Sequence, residues 1–142
     1  MATPTRDPLT TTTKIIVNWI KLDVPENGYS TVESYNLQWD RGTKGVTWYN
    51  LIGFDADVLA TRYETVHTLT AGTTYKFKVR AKNFFGWSEF SPILDIKAAT
   101  WPENTQSVTT TIDGSTGGVL VSWLAPYNNA QVLQRYEILL YS

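Results

Sequence analysis

The sequence predicts an all-β fold: a Greek-key sandwich of seven short strands, followed by the first three strands of a second sandwich. Three observations carry this reading. Aromatic residues make up 13% of the 142-residue chain, and with abundant Thr, Val and Ile they favour strands over helices. From Tyr75 the chain alternates, with Tyr75, Phe77, Val79 and Ala81 pointing one way and Lys76, Lys78, Arg80 and Lys82 the other. That period of two marks a strand with one face on a core and one in water. Finally, the pattern restarts near residue 100, and a repeat of roughly 100 residues is the length of one sandwich.

Taken in order, Met1–Thr13 holds Pro4 and Pro8, which suit an edge strand or an extended lead-in. Lys14–Ile20 is a strand with Ile15, Val17 and Trp19 on one face and Ile16, Asn18 and Ile20 on the other. Pro25, Asn27 and Gly28 mark a loop. Val32 precedes a third strand, where Tyr35, Leu37 and Trp39 alternate with Asn36, Gln38 and Asp40. A turn over Arg41–Gly45 leads to short strands over Trp48–Gly53 and Thr61–Leu69. Gly72 and Gly86 supply the turns on either side of the long strand. Tyr75, just inside that strand and shortly after Leu69, is placed for a tyrosine corner, its hydroxyl bonding back to upstream backbone. Pro92–Ala98 closes the unit with Leu94 and Ile96 facing inward. The first unit is therefore 1–99 and the second 100–142.

In the second unit Val119, Val121 and Trp123 repeat Ile15, Val17 and Trp19, and Leu133, Tyr136, Ile138 and Leu140 repeat Val32, Tyr35, Leu37 and Trp39. Three strands make half a sandwich, with an open apolar face and open edges. Two resolutions stand at this stage: the remaining strands belong to a longer chain, or a neighbouring chain completes the unit in trans. The linker from Ala98 to Pro102 is short and stiffened by Trp101-Pro102, so Trp101 is expected to be partly buried between the units.

The stretch Leu69–Ser91 resembles the fibronectin type III family. That family carries a Leu-x-Pro-Gly-Thr-x-Tyr turn, a strand ending Ala-x-Asn, and then Gly-x-Ser-x-x-Ser. Leu69, Gly72, Thr73, Tyr75, Ala81, Asn83, Gly86, Ser88 and Ser91 occupy those places here, with Ala71 where the family often has Pro. Trp19 fits the core Trp that ends the family's second strand. The resemblance implies an immunoglobulin-like sandwich, no cofactor, an extracellular or cell-surface setting, and protein–protein or matrix interaction. Trp87-Ser88-Glu89-Phe90-Ser91 is also similar to the Trp-Ser-x-Trp-Ser motif of cytokine receptors, with Phe90 in place of the second Trp. That likeness implies a brace in which Trp87 stacks on Arg80 or Lys82. The cysteines of the receptor family's first domain are missing.

No catalytic constellation assembles. The chain has one His and no Cys, which excludes disulfides, thiolate metal sites and a cysteine nucleophile and makes zinc improbable. His67 reads as a surface or edge residue. Asp55 and Asp57 form a weak calcium signal without further oxygen ligands. Gly114, Gly117 and Gly118 lack a following Lys and read as a hairpin loop rather than a phosphate cradle. There is no Asn-x-Ser/Thr acceptor, and Arg41-Gly42-Thr43 lacks the carboxylate of an Arg-Gly-Asp motif. A net charge of −1 argues against nucleic acid or an anionic membrane engaged by bulk electrostatics. No run is long or apolar enough to insert in a bilayer, so any secretion signal or anchor is expected outside these residues.

Two surfaces remain as candidates. Lys76, Lys78, Arg80 and Lys82 form a cationic stripe that a polyanion such as a sulfated glycan fits, although cross-strand pairing with Asp40 and Asp95 is the weightier reading. Phe84, Phe85 and Trp87 in one loop, with Trp101 in the linker, are candidate partner contacts; the competing reading packs the loop aromatics on the next unit near Trp101 and Pro102. The function that follows is a non-catalytic spacer, adhesion or assembly module in a tandem array, binding other proteins or neighbouring repeats and capable of self-assembly. The alternatives are a cytokine-receptor-type ectodomain and an accessory domain of a polysaccharide-degrading enzyme.

Overall fold

The computed structural model describes residues 1–141; Ser142 lies outside them. In chain order the strands are β1 (Thr5–Arg6), β2 (Ile16–Asn18), β3 (Ser34–Trp39), β4 (Tyr49–Ile52), β5 (Arg62–Glu64), β6 (Thr74–Asn83), β7 (Gly86–Trp87), β8 (Leu94–Lys97), β9 (Gln106–Ile112) and β10 (Val119–Leu124). One antiparallel sheet runs β1-β2-β5, and the other runs β4-β3-β6 with both β7 and β8 on the far side of β6. The chain thus crosses from β2 to the opposite sheet, where β3 pairs with β6 from Ser34↔Lys82 to Trp39↔Phe77. This is the Greek key that the alternating strands predict. The seventh strand is split into β7 and β8, for a reason that lies in its serines.

The alternation of β6 decides where the core sits. Tyr75, Phe77, Val79 and Ala81 are buried and meet Ile15, Val17 and Trp19 across the sandwich, with Tyr35, Leu37, Trp39, Ile96 and Ala98 filling the layer. Burying each large side chain of this kind contributes roughly 1.5–3 kcal/mol. Trp39 anchors one end, stacked on Tyr75 (5.6 Å between centroids) and capped by His67 (5.0 Å). His67, read as a surface residue, is solvent-exposed yet serves as the lid of that indole.

Backbone amides, rather than lysines, take up Asp40. The residue is fully buried; its Oδ1 accepts from the N–H of Gly42 and of Lys76, and its Oδ2 from the N–H of Gly45, each at 2.9 Å. The expected pairing of Asp40 with the cationic stripe is therefore corrected. A turn that folds back over β6 needs an acceptor for its amides, and this carboxylate supplies it. Opposite, the Thr70 N–H donates to the Tyr75 hydroxyl at 2.9 Å, closing the corner that Leu69 packs beneath. Gly53 is held at φ 81° so close to β3 that a Cβ there would lie 1.8 Å from the Tyr35 carbonyl oxygen.

After residue 100 the structure forms the β9–β10 hairpin, in register from Ile112↔Val119 to Thr109↔Ser122, with an irregularity beyond Ser122 and Ser107 at φ 53°. Asp113 ties the turn: the Ser115 hydroxyl and N–H and the Thr116 hydroxyl donate to its carboxylate and pull its pKa down to about 2. The third stretch of the repeat, Leu133 to Tyr141, carries no ladder. In the first unit β3 is held between β4 and β6, and residues 100–141 contain no counterpart of either. The side-chain contact nevertheless recurs: Trp123 and Tyr136 lie 5.3 Å apart, as Trp19 and Tyr35 lie at 6.3 Å.

The junction is polar. Asn129 Nδ2 donates to the Trp101 carbonyl (2.7 Å), Lys97 Nζ to Gln131 Oε1 (3.0 Å), and Arg6 Nη2 to the Ala99 carbonyl (2.9 Å). Trp101 is 77% exposed, which corrects the expectation of burial between the units. The close approach is made instead by small residues, since a Cβ on Gly72 would meet the Ala130 Cβ at 3.5 Å.

Two substitutions test these constraints by denaturant melting. Tyr75→Phe is expected to lower stability by about 1 kcal/mol, because it strips the acceptor from the Thr70 N–H and changes little else. Gly53→Ala is expected to cost about 3 kcal/mol or more, since both the left-handed backbone and the Tyr35 carbonyl oppose a side chain.

Candidate functional site

The outward face of β6 carries the four cations, and each is already engaged. Lys76 Nζ lies 2.7 Å and 2.9 Å from the two Asp95 oxygens. Lys82 reaches Asp57 at 3.3 Å and Glu33 at 3.5 Å. The hydrogen bond that Lys82 donates to Asp57, then the charges of Asp57 and Glu33, raise the Lys82 pKa against the opposing effect of desolvation. Lys78 sits between the Trp48 ring (4.0 Å) and the Phe90 ring (4.3 Å). Partial burial, and secondly the charge of Arg80, lower its pKa. Arg80 lies 4.5 Å from the Phe90 ring, 4.7 Å from Trp87 and 5.8 Å from Phe54, while its Nε donates to Asn36 Oδ1 at 3.1 Å.

The result is a continuous stack, Trp48–Lys78–Phe90–Arg80–Trp87, with Phe54 beside both Arg80 (5.8 Å) and Trp87 (6.3 Å). Each cation–ring contact contributes about 0.5–1 kcal/mol at an exposed site and more where water is excluded. Trp87 takes Arg80 as its cation; Lys82 goes to carboxylates. Sequence reasoning missed Trp48, Phe54 and Phe90 as stacking partners. Their signal was present: aromatic residues bracketing β4 and following β7, on strands whose outward positions meet those of β6.

Two serines shape the strand that carries Phe90. Ser88 donates its N–H to the Ala81 carbonyl (2.8 Å), and its hydroxyl accepts from the Ala81 N–H (3.1 Å). Ser91 does the same for Val79, at 2.8 Å and 3.1 Å. The hydroxyls replace the carbonyls that a regular strand would present, so the edge can bow out between β7 and β8 without orphaning any β6 amide. That bow lifts Phe90 over Lys78 and Arg80.

The loop end is built differently. Asn83 and Gly86 pair at the tip of β6 and β7, leaving Phe84 and Phe85 as the two-residue turn. Asn83 fixes it from both sides: its Oδ1 accepts from the Phe85 N–H, and its Nδ2 donates to the Asn27 carbonyl in the Pro25–Gly28 loop, both at 3.0 Å. Phe84 and Phe85 are 81% and 83% exposed, edge to face at 5.4 Å. Beside them lies a groove of about 270 Å³ lined by Leu22, Asn27, Val32, Phe85 and Trp87. Trp101 stands at the other end of β6, a strand of 10 residues and hence roughly 30 Å long. The four candidate contacts therefore do not form one site, and packing of the loop aromatics near Trp101 and Pro102 is corrected by that separation. Among the described residues no group of three or more His, Cys, Asp or Glu could hold a metal ion, and no helix is long and apolar enough to cross a membrane.

A family model described as fibronectin type III domain matches residues 4–97. Among solved structures, the sixth fibronectin type III domain of human fibronectin type III domain containing protein 3 aligns with TM-score 0.55 at 21% identity, covering 75% of this chain and 90% of that one. Another fibronectin type III domain structure from the human protein of that description aligns with TM-score 0.52 at 24% identity, covering 70% and 84%. Domains A168–A170 of titin align with TM-score 0.52 at 20% identity over 69% of this chain, which spans 30% of that structure. At these identities the likeness is one of fold. No curated protein matches the chain.

Phe90→Leu separates stacking from simple coverage, because Leu keeps apolar area but has no ring face. Two cation contacts are lost, and a destabilisation of about 1–2 kcal/mol is expected in denaturant melts; Phe90→Tyr, which keeps the ring, is expected to restore most of it.

Proposed function

The chain belongs to the fibronectin type III domain family, and from that premise we propose that it is a non-catalytic spacing and adhesion module of a tandem array in an extracellular or cell-surface protein. Members of the family are generally binding or structural modules and occur often in such proteins, which supports the setting. In this reading residues 1–99 are one complete domain and residues 100–142 begin the next. The polar junction around Ala99, Trp101 and Asn129 sets the spacing of the two.

The observation that carries the binding role is the Phe84–Phe85 tip. Two adjacent rings more than four-fifths exposed, on a turn pinned by Asn83 to the neighbouring loop, expose apolar area that folding does not use. A rigid aromatic tip loses little entropy when it docks, and so suits a protein partner with an apolar recess. The cationic stripe is assigned to the brace, since all four of its charges are engaged within the sheet.

Cell attachment to surfaces coated with the chain tests this directly. The unaltered protein is expected to support attachment, and Phe84→Ser/Phe85→Ser to reduce it by about tenfold or more, as expected for loss of a central aromatic anchor. The double variant should melt within about 0.5 kcal/mol of the parent, because the rings contribute nothing to the core. Equal attachment by both proteins would remove the tip from the binding role.

A further inference from the structure

We propose that the cavity between the turn after β3 and the stretch leading into β6 binds a carboxylate, carried by a small organic acid or by an acidic peptide side chain. The site lies at the end of β6 that Tyr75 occupies. Phe84 and Phe85 follow the other end of that strand of 10 residues, roughly 30 Å away. The inference is therefore independent of the loop contact described above.

Three segments of the first unit build the cavity. β3 ends on Trp39 and passes into the turn that carries Arg41; residues 67–70 cross over from the other sheet; Tyr75 opens β6. Together Trp39, Arg41, His67, Thr68, Thr70 and Tyr75 line a space of about 390 Å³, within the range of small-molecule sites. The junction contacts to Ala130 and Gln131 are made by Gly72 and Lys97, which are not part of this lining.

The lining supplies hydrogen-bond donors and no carboxylate. Arg41 lies over the Tyr49 ring at 4.0 Å and forms no ion pair among the described residues. Its backbone is held at φ 54°, a region that a long side chain enters at a cost. The Tyr75 hydroxyl accepts from the Thr70 N–H and keeps its own proton to donate. Trp39 is 3% exposed, and its Nε1 has no hydrogen-bond partner, a costly state for a buried N–H. Trp19 Nε1 lacks a partner too, so an orphan donor by itself marks no site. At Trp39 it belongs to a side chain that borders a cavity with a guanidinium in its wall.

That set of groups selects the ligand. A cation is opposed by Arg41, and an apolar group would leave the donors without acceptors. A carboxylate accepts the two parallel bonds of a guanidinium fork. Its remaining lone pairs suit neutral donors, here the hydroxyls of Thr68, Thr70 and Tyr75 and the ring N–H groups of Trp39 and His67. His67, stacked on Trp39 at 5.0 Å, forms the wall over the indole. The Asp40 carboxylate, next to Arg41 in the chain, does not compete. It accepts from the amides of Gly42, Gly45 and Lys76 and is absent from the lining.

The Trp39 indole N–H resonance reports on the site in solution. The full chain is titrated with glutarate and, separately, with an end-blocked Gly-Gly-Glu-Gly-Gly peptide. A saturable shift of that resonance is expected, with a dissociation constant of about 1–10 mM. Saturation by glutarate gives the site to free acids, by the peptide to acidic side chains, and by both to the carboxylate group itself; each supports the proposal. Neutral glutaramide, and sodium chloride at matched ionic strength, should leave the resonance in place. Arg41→Gln is expected to weaken binding by about tenfold and Arg41→Lys to recover only part of it, since Lys lacks the fork. Thr70→Val, a change at an exposed position, should weaken it by about threefold. No saturable shift with either probe, an equal response to glutaramide, or unchanged affinity in Arg41→Gln and Thr70→Val overturns the proposal.

Discussion

The rest of this structure depends on the alternation of β6. One strand of 10 residues pairs with β3 on one side and with β7 and β8 on the other, and it sends every second side chain into the core. A slip of one residue would bring Lys and Arg inward and expel Tyr75, Phe77, Val79 and Ala81, so a single register is compatible with the sandwich. The buried carboxylate of Asp40 and the hydroxyls of Ser88 and Ser91 all bond to β6 amides. Those bonds hold the register from the edges as the core holds it from the centre.

The outward face solves a different problem. Four cations in a row along one strand repel one another, and partial burial, with the charge of Arg80 second, lowers the pKa of Lys78. The two outer lysines are neutralised by carboxylates from flanking elements, and the two inner cations by ring faces. Rings need no counter-charge and lose little strength to salt, whereas the exposed ion pairs are screened. The bowed edge strand with Pro92 in its gap also denies a flat ladder to other chains.

What could be read from the sequence was whatever obeys a period. The core face of β6 and the repetition of Trp19 and Tyr35 by Trp123 and Tyr136 follow from counting positions along strands, while the approach of Trp87 to a cation, Arg80 or Lys82, came from the motif likeness. Residues whose role is set by where a turn passes escaped that logic. Asp40 lies on the outward register of its strand, and only the path of residues 41–45 shows that amides surround it. Trp101 was expected inside the junction because an aromatic before proline stiffens a linker. Stiffness, however, says nothing about which side of the chain meets the neighbour, and Gly72 and Ala130 occupy that place. The third stretch of the repeat has the right apolar spacing but no partner strands among the described residues, and spacing alone does not make a ladder.

The six tryptophans occupy graded surroundings. Trp19 and Trp39 are sealed in the core, Trp48 and Trp87 lie against a cation, Trp123 is half-covered beside Tyr136, and Trp101 stands in water. The intrinsic fluorescence of the chain is accordingly a sum of distinct emitters. The core pair contributes on the blue side, and Trp101 emits furthest to the red and meets a soluble quencher first. A single optical signal can therefore be divided by wavelength and by quenching into a report on the sandwich, its outer stack and the junction.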